Sequence, residues 1–202
     1  MTLPNLLTIS RVPLMFVVVG LMYADFAWCA TIAFWLYIAA ALTDWLDGLL
    51  ARRANQVSAF GRFMDAVIDK AMVLGLMVAL INDEYFVFGG RDYKIAAMLL
   101  LLCIICREFA VSGMRMAAAM RNIAIEADAG GKFKTFIQLN AIGWLLGARM
   151  FSQDFGDLFT GDQTMWINGV HGIGLLLYVA SAILTVTSGW SYFRRHGYVV
   201  MD

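Results

Sequence analysis

The sequence predicts an all-α integral membrane protein: six transmembrane helices, a short N-terminal amphipathic element, and both termini in the cytoplasm. Three observations predict it. Of 202 residues, 61% are hydrophobic and 15% charged, and the mean hydropathy is +0.73. A soluble domain is about 45–50% apolar and about 25% charged. The apolar residues gather into long stretches, and one membrane span needs about 20 of them. The chain therefore holds about six spans and little else, a single membrane domain over residues 1–202. An ordinary cytosolic enzyme, a disordered chain and a collagen-like fibre are excluded. Fifteen acids balance fifteen bases, so no basic field points to a nucleic acid. Cys29, Cys103 and Cys106 form neither a disulfide framework nor a paired metal pattern.

The first segment, 5–23, carries Arg11 and Pro13 inside it. No small-residue cleavage pattern follows, so it reads as structure rather than a signal peptide. Pro13 predicts a bend, with the first turns lying along the membrane surface. The second segment, 26–52, starts apolar and ends in TDWLDGLLARR; the others are 58–82, 94–120, 131–151 and 165–193. Orientation follows from Lys and Arg. With the N-terminus inside, the inner side holds Arg11, Arg52, Arg53, Arg62, Arg115, Arg121, Lys132, Lys134, Arg194 and Arg195. The outer side holds Arg91, Lys94 and Arg149. The acidic stretch 152–164, with Asp154, Asp157 and Asp162, reads as a solvated outer loop. His171 reads as a satisfied structural histidine, and Cys103 and Cys106 as apolar filling.

Charges inside membrane helices are costly and mark function. The dense run is 44–70. At about 100° per residue, Asp44, Asp47, Gly48, Ala51 and Arg52 share one helical face. Gly61, Asp65 and Asp69 step by four and share a face of the next helix. The short link 53–60 makes the two helices antiparallel neighbours, so four carboxylates converge. Such a cluster needs raised pKa values or a cation. Oxygen ligands without His or Cys favour Mg²⁺, Mn²⁺ or Ca²⁺, and four carboxylates suit two divalent ions facing phosphate. Gly48, Ala51 and Gly61 let a ligand approach the backbone, and Arg52 offers a fork for phosphate. A structural network with Arg52, Arg53, Arg62 and Lys70, an ion- or proton-coupled transporter, and a non-catalytic scaffold remain alternative readings of the same residues.

The run is Asp44, Asp47, Gly48, Ala51, Arg52, then Gly61, Asp65 and Asp69 after a gap of eight. It resembles the signature of the CDP-alcohol phosphatidyltransferases at every position. The stretches LPNLLTISR (3–11), CREFAVSGMR (106–115) and GKFKT (131–135) resemble the phosphatidylglycerophosphate synthases of that family, and cardiolipin synthases share parts of them. The resemblance implies six membrane helices, a homodimer among membrane lipids, and a polar cavity open to the cytoplasm. It implies two divalent ions, Mg²⁺ or Mn²⁺, held by Asp44, Asp47, Asp65 and Asp69. Gly48, Ala51, Arg52 and Gly61 match positions at the CDP moiety, and Asp69 matches the base that deprotonates the acceptor hydroxyl. The implied reaction moves a phosphatidyl group from CDP-diacylglycerol to sn-glycerol 3-phosphate.

The basic residues suit a phosphorylated acceptor. Arg107 and Arg115 lie roughly on one face of the fourth helix, and Lys132 and Lys134 begin the fifth. With Arg11 they form the candidate acceptor-phosphate site. Arg107 next to Glu108 could instead be a structural pair, and Ser112 and Gly113 could serve helix packing alone. Other acceptors within the family are phosphatidylglycerol, inositol phosphate and serine. The short chain, with no transit-type leader ahead of the first helix, points to a bacterial inner membrane.

Overall fold

The computed structural model describes residues 3–54, 59–82, 84–121, 123, 129–156 and 163–198; side chains are described at 10–43, 67–82, 85–121, 123, 133–156 and 165–198. Six α-helices make up nearly all of the described residues: α1 (Leu3–Met22), α2 (Cys29–Ala54), α3 (Ala59–Asn82), α4 (Lys94–Met120), α5 (Ala129–Asp154) and α6 (Gln163–His196). Each expected segment is a helix, with ends displaced by a few residues at most. Residues 94–120 match without displacement.

At the N-terminus, α1 runs as one helix from Leu3 through Pro13 to Met22, so the first turns and the apolar stretch after Pro13 belong to the same helix. Proline removes one backbone donor, and the flanking turns carry the helix through.

α4 and α6 are long and apolar enough to cross a membrane, with mean hydropathies of 2.2 and 1.8 in their most apolar parts; Ser10–Met22 and Cys29–Thr43 are shorter apolar helices. α4 has two faces. Ala97, Leu101, Ile104, Glu108, Val111, Met114 and Ala118 are buried, at helical spacing. Ile95, Leu99, Leu102, Phe109, Met116 and Met120 point outward.

All six helices feed one core, through side chains such as Val18, Tyr37, Leu76, Ile104, Leu145 and Tyr178. α1 packs on both α2 and α3, α3 packs on α4, and α6 packs on α4 and α5. Polar side chains tie helices together inside this apolar mass. Tyr23 Oη donates to Ala79 O at 2.6 Å, Tyr37 Oη to Leu139 O at 2.6 Å, and Tyr178 Oη to Ala97 O at 2.8 Å. Gln138 Nε2 donates to Thr185 Oγ1 at 3.2 Å between α5 and α6. Such bonds between membrane helices contribute roughly 0.6–2 kcal/mol each.

Between α3 and α4 the chain forms a 3₁₀ turn, Glu84–Phe86, and a small hairpin of β1 (Val87–Phe88) and β2 (Arg91–Asp92). Phe88 pairs with Arg91, and Gly89 and Gly90 take φ of +58° and +75°. Two positive φ values in a two-residue turn suit the twist of a tight hairpin. His171 lies beneath it: Nε2 donates to Tyr85 O at 2.6 Å, and Phe88 meets the ring edge-on. That is the satisfied structural histidine expected from the sequence.

The start of α2 is tied to the end of α5. Asp154 Oδ2 accepts from Thr31 N and from Thr31 Oγ1, each at 2.7 Å. Trp28, with φ +71°, packs edge-on against Phe155. Asp154 was expected to be a solvated loop residue; it is instead a cap on another helix, because the N-terminal amides of α2 need an acceptor. Asp157 and Asp162 lie outside the described residues.

Candidate active site

Helical backbone fixes the register of the acidic run. On α2, Asp47 and Gly48 lie three and four residues after Asp44, with Ala51 a turn further, and Gly61, Asp65 and Asp69 lie four apart on α3. The side chains of Asp44, Asp47, Gly48, Ala51, Arg52, Gly61 and Asp65 lie outside the described residues, as does that of Lys132.

Asp69 is described, and it has a partner from the first helix. Arg11 Nη1 donates to Asp69 Oδ1 at 2.9 Å, with the two side chains 2% and 38% exposed. Arg11 was expected among the acceptor cations. It donates to Asp69, within the interface that α1 makes with α3. A guanidinium bond of this length restricts the rotamers of the carboxylate. Asp69 still keeps an exposed surface.

A second cluster gathers the other basic residues around Glu108, which sits on the buried face of α4. Lys134 of α5 forms an ion pair with Glu108 Oε1. Arg107 Nη1 donates to the same oxygen at 3.2 Å, and its Nη2 donates to Ser188 Oγ of α6 at 3.1 Å. Lys70 of α3 lies 3.8 Å from Glu108 Oε2 and donates to Ser112 Oγ. Ser112 in turn donates to Glu108 O at 2.7 Å. Ser112 is thus more than a small packing residue. Gly189 makes the arrangement possible, since a Cβ there would overlap the stem of Arg107.

Arg115 is exposed about two turns beyond Arg107. Its Nε donates to Tyr192 Oη at 3.3 Å, and its guanidinium lies 5.4 Å from the centre of that ring. Arg107 and Arg115 therefore share the side of α4 that meets α6. Arg107, Lys134 and Glu108 come together, with Arg115 near by on the same seam. Lys70, Ser112, Ser188 and Tyr192 were not in the expected site. The signal for Glu108 is in the sequence: a single acid amid an apolar helix must find cations. The position of Lys70, directly after Asp69, is a similar signal.

In chemical terms, α3 carries a carboxylate and an ammonium side by side, at Asp69 and Lys70. The carboxylate can accept a proton; the cations of α3, α4 and α5 can hold an anion. Of the four carboxylates in the sequence motif, Asp69 alone has a described side chain, and an oxygen donor of this kind suits hard divalent cations. Asp69, half-buried and turned by Arg11, is compatible with that role.

Comparison with known proteins bears on these helices directly. A model of the CDP-alcohol phosphatidyltransferase family matches residues 1–187, which include both clusters. The chain is 30% identical over 210 residues to "CDP-diacylglycerol--glycerol-3-phosphate 3-phosphatidyltransferase" of Bacillus subtilis (strain 168), covering 96% of this chain and 94% of that one. It is 36% identical to "Cardiolipin synthase (CMP-forming)" of Oryza sativa subsp. japonica, covering 96% of this chain and 57% of that one. It is also 36% identical to "CDP-diacylglycerol--glycerol-3-phosphate 3-phosphatidyltransferase 1, chloroplastic/mitochondrial" of Arabidopsis thaliana, covering 100% of this chain and 64% of that one. The match runs through the acidic helices α2 and α3 and through the cation helices α4 and α5 alike, and the chain belongs to the CDP-alcohol phosphatidyltransferase family.

Proposed function

We propose that this chain transfers the phosphatidyl group of CDP-diacylglycerol to sn-glycerol 3-phosphate, giving phosphatidylglycerophosphate and CMP. Family membership and the names of the bacterial relatives support the reaction class. The observation that carries the acceptor is the cation cluster of Lys70, Arg107, Lys134 and Arg115, with Lys70 next to Asp69. A phosphorylated alcohol needs such charge, and serine does not.

Residues 1–202 form one membrane domain of six spans, with both termini and the site on the cytoplasmic side of a bacterial inner membrane. The chain works as a homodimer among membrane lipids. Asp44, Asp47, Asp65 and Asp69 would hold two divalent ions, Mg²⁺ or Mn²⁺. When bound, these ions supply positive charge to the diphosphate and to the CMP leaving group. Gly48, Ala51, Arg52 and Gly61 receive the CDP moiety. Asp69 accepts the proton of the acceptor's 1-hydroxyl as its oxygen attacks the β-phosphorus. The new P–O bond forms as the bond to CMP breaks, and CMP leaves with that electron pair. Arg11 keeps Asp69 turned for this step. Arg107, Arg115, Lys132 and Lys134 hold or support the acceptor phosphate, which offsets repulsion between two anionic substrates.

A second reading has a specific observation behind it. The rice relative is named a cardiolipin synthase, so phosphatidylglycerol is the rival acceptor. Purified full-length protein in detergent, with CDP-diacylglycerol and Mg²⁺ or Mn²⁺, separates the two. CMP release is expected with glycerol 3-phosphate and not with phosphatidylglycerol, inositol phosphate or serine. Release with phosphatidylglycerol alone would make the second reading the right one.

A further inference from the structure

Glu108 is a buried carboxylate that meets cations from three helices. Lys70 of α3 lies 3.8 Å from Oε2, Arg107 of α4 is 3.2 Å from Oε1, and Lys134 of α5 pairs with Oε1. Among the described residues, one carboxylate thus gathers three cations, and such a group attracts anions. Access to the three cations differs. The side chains of Lys134 and Arg107 are 5% and 12% exposed, and that of Lys70 is 40% exposed. Arg107 is pinned further by Ser188. Lys70 is steered by Ser112, whose own hydroxyl hydrogen goes to Glu108 O. Glu108 and Ser112 thus determine where this accessible ammonium points.

We propose that Glu108 is the positioning residue of the acceptor-phosphate site and that it holds Lys70 as the cation which meets the phosphate. The proposal rests on the reading that the acceptor is a phosphorylated alcohol. Lys134 and Arg107 neutralise Glu108 and fix it between α4, α5 and α6. Lys70 stands at ion-pair distance rather than hydrogen-bond distance from the carboxylate, so its protons can turn to an arriving phosphate. Consecutive residues of α3 then serve the two ends of one small acceptor: Asp69 its reacting hydroxyl, Lys70 its phosphate. They project about 100° apart around the helix, which places the two functions side by side and not on top of one another.

The test is steady-state CMP release by the purified full-length protein, varying glycerol 3-phosphate and CDP-diacylglycerol in turn. Lys70→Ala is expected to raise the acceptor KM about tenfold or more, with less than about a twofold change in the CDP-diacylglycerol KM. Lys70→Arg should recover most of the loss. Glu108→Gln should raise the acceptor KM in the same selective way, and Glu108→Asp should fall between. Lys70→Gln gives the same comparison if the alanine variant does not fold. An unchanged acceptor KM in Lys70→Ala would overturn the proposal. So would equal changes in both KM values with a lower melting temperature in Glu108→Gln, which mean a structural pair. A lower acceptor KM in Glu108→Gln would overturn it too, since the carboxylate would then only dilute the positive charge. Wild-type protein inactive with glycerol 3-phosphate, yet active with a non-phosphorylated acceptor, would remove the acceptor reading itself. That result is distinct from an active wild type whose Lys70 variants behave normally.

Discussion

Arg11 is almost fully enclosed, and a guanidinium with so little water must be met by protein groups. Its 2.9 Å bond to Asp69 joins α1 to the carboxylate helix. The pair has consequences for catalysis and for the fold, and the two are separable. Asp69→Asn removes the proton acceptor and should lower turnover about 10²–10⁴-fold, with acceptor KM little changed. Arg11→Lys keeps a positive charge but loses the planar fork. It should lower turnover by a smaller factor, about tenfold, while leaving both KM values near those of the wild type. Arg11→Ala should cost roughly 1–3 kcal/mol of stability as well, less than for a fully buried pair because Asp69 is partly exposed. Turnover at saturating substrates and melting in detergent check these outcomes. An Arg11→Lys variant with normal turnover but a raised acceptor KM would assign Arg11 to the acceptor phosphate, as the sequence alone suggested.

The helices show why some features were legible in the sequence and others were not. α4 announces both of its ends, with Lys94 at the start and a run of small and apolar residues to Met120, and its apolar run is unbroken from Ile95 to Cys106. The hairpin between α3 and α4 was missed because strands of two residues are too short to show alternation. Its signal was Gly89–Gly90 between Phe88 and Arg91. The acidic motif was legible as two helical stripes because its spacing is local. The partners of Glu108 and Arg11 were not, because each pairing joins helices distant along the chain. Asp154 is the clearest case: its contact with Thr31 spans 123 positions, and no window of sequence reveals it. As an anion at a helix N-terminus and a cap, it should contribute about 1–2 kcal/mol. Asp154→Ala should therefore lower the melting temperature by about 2–8 °C, and Asp154→Asn by less, since an amide oxygen still accepts. Thr31 lies 13 residues before Asp44, about 20 Å along α2, so CMP release at 25 °C should stay near normal. A variant with unaltered melting would show that the cap contributes nothing measurable.

At the scale of the whole molecule, the two clusters and the caps occupy different ends of the bundle. Asp154 and the hairpin lie where α3 and α5 end and where α2 and α4 begin. Arg194 and Arg195 lie in the last turn of α6, whose first turn follows the acidic stretch after α5. Outward-facing Ile95, Leu99, Leu102 and Phe109 on α4, and Leu176, Ile183 and Trp190 on α6, give the bundle an apolar exterior, which suits lipid or a second copy better than water. If the basic ends face the cytoplasm, as the positive-inside rule predicts, the end that bears Asp154 faces outward. Single-cysteine variants test this directly, in a background with Cys29, Cys103 and Cys106 replaced by serine. Ser152→Cys, exposed beside the cap, should react with a membrane-impermeant maleimide added outside intact spheroplasts. Tyr198→Cys, exposed just after α6, should react only in inside-out vesicles or after the membrane is opened. The reverse pattern would place the cation cluster and Asp69 on the outer side. CDP-diacylglycerol would then have to be met there, and the assignment of the site to the cytoplasmic face would fall while the chemistry assigned to its residues stood.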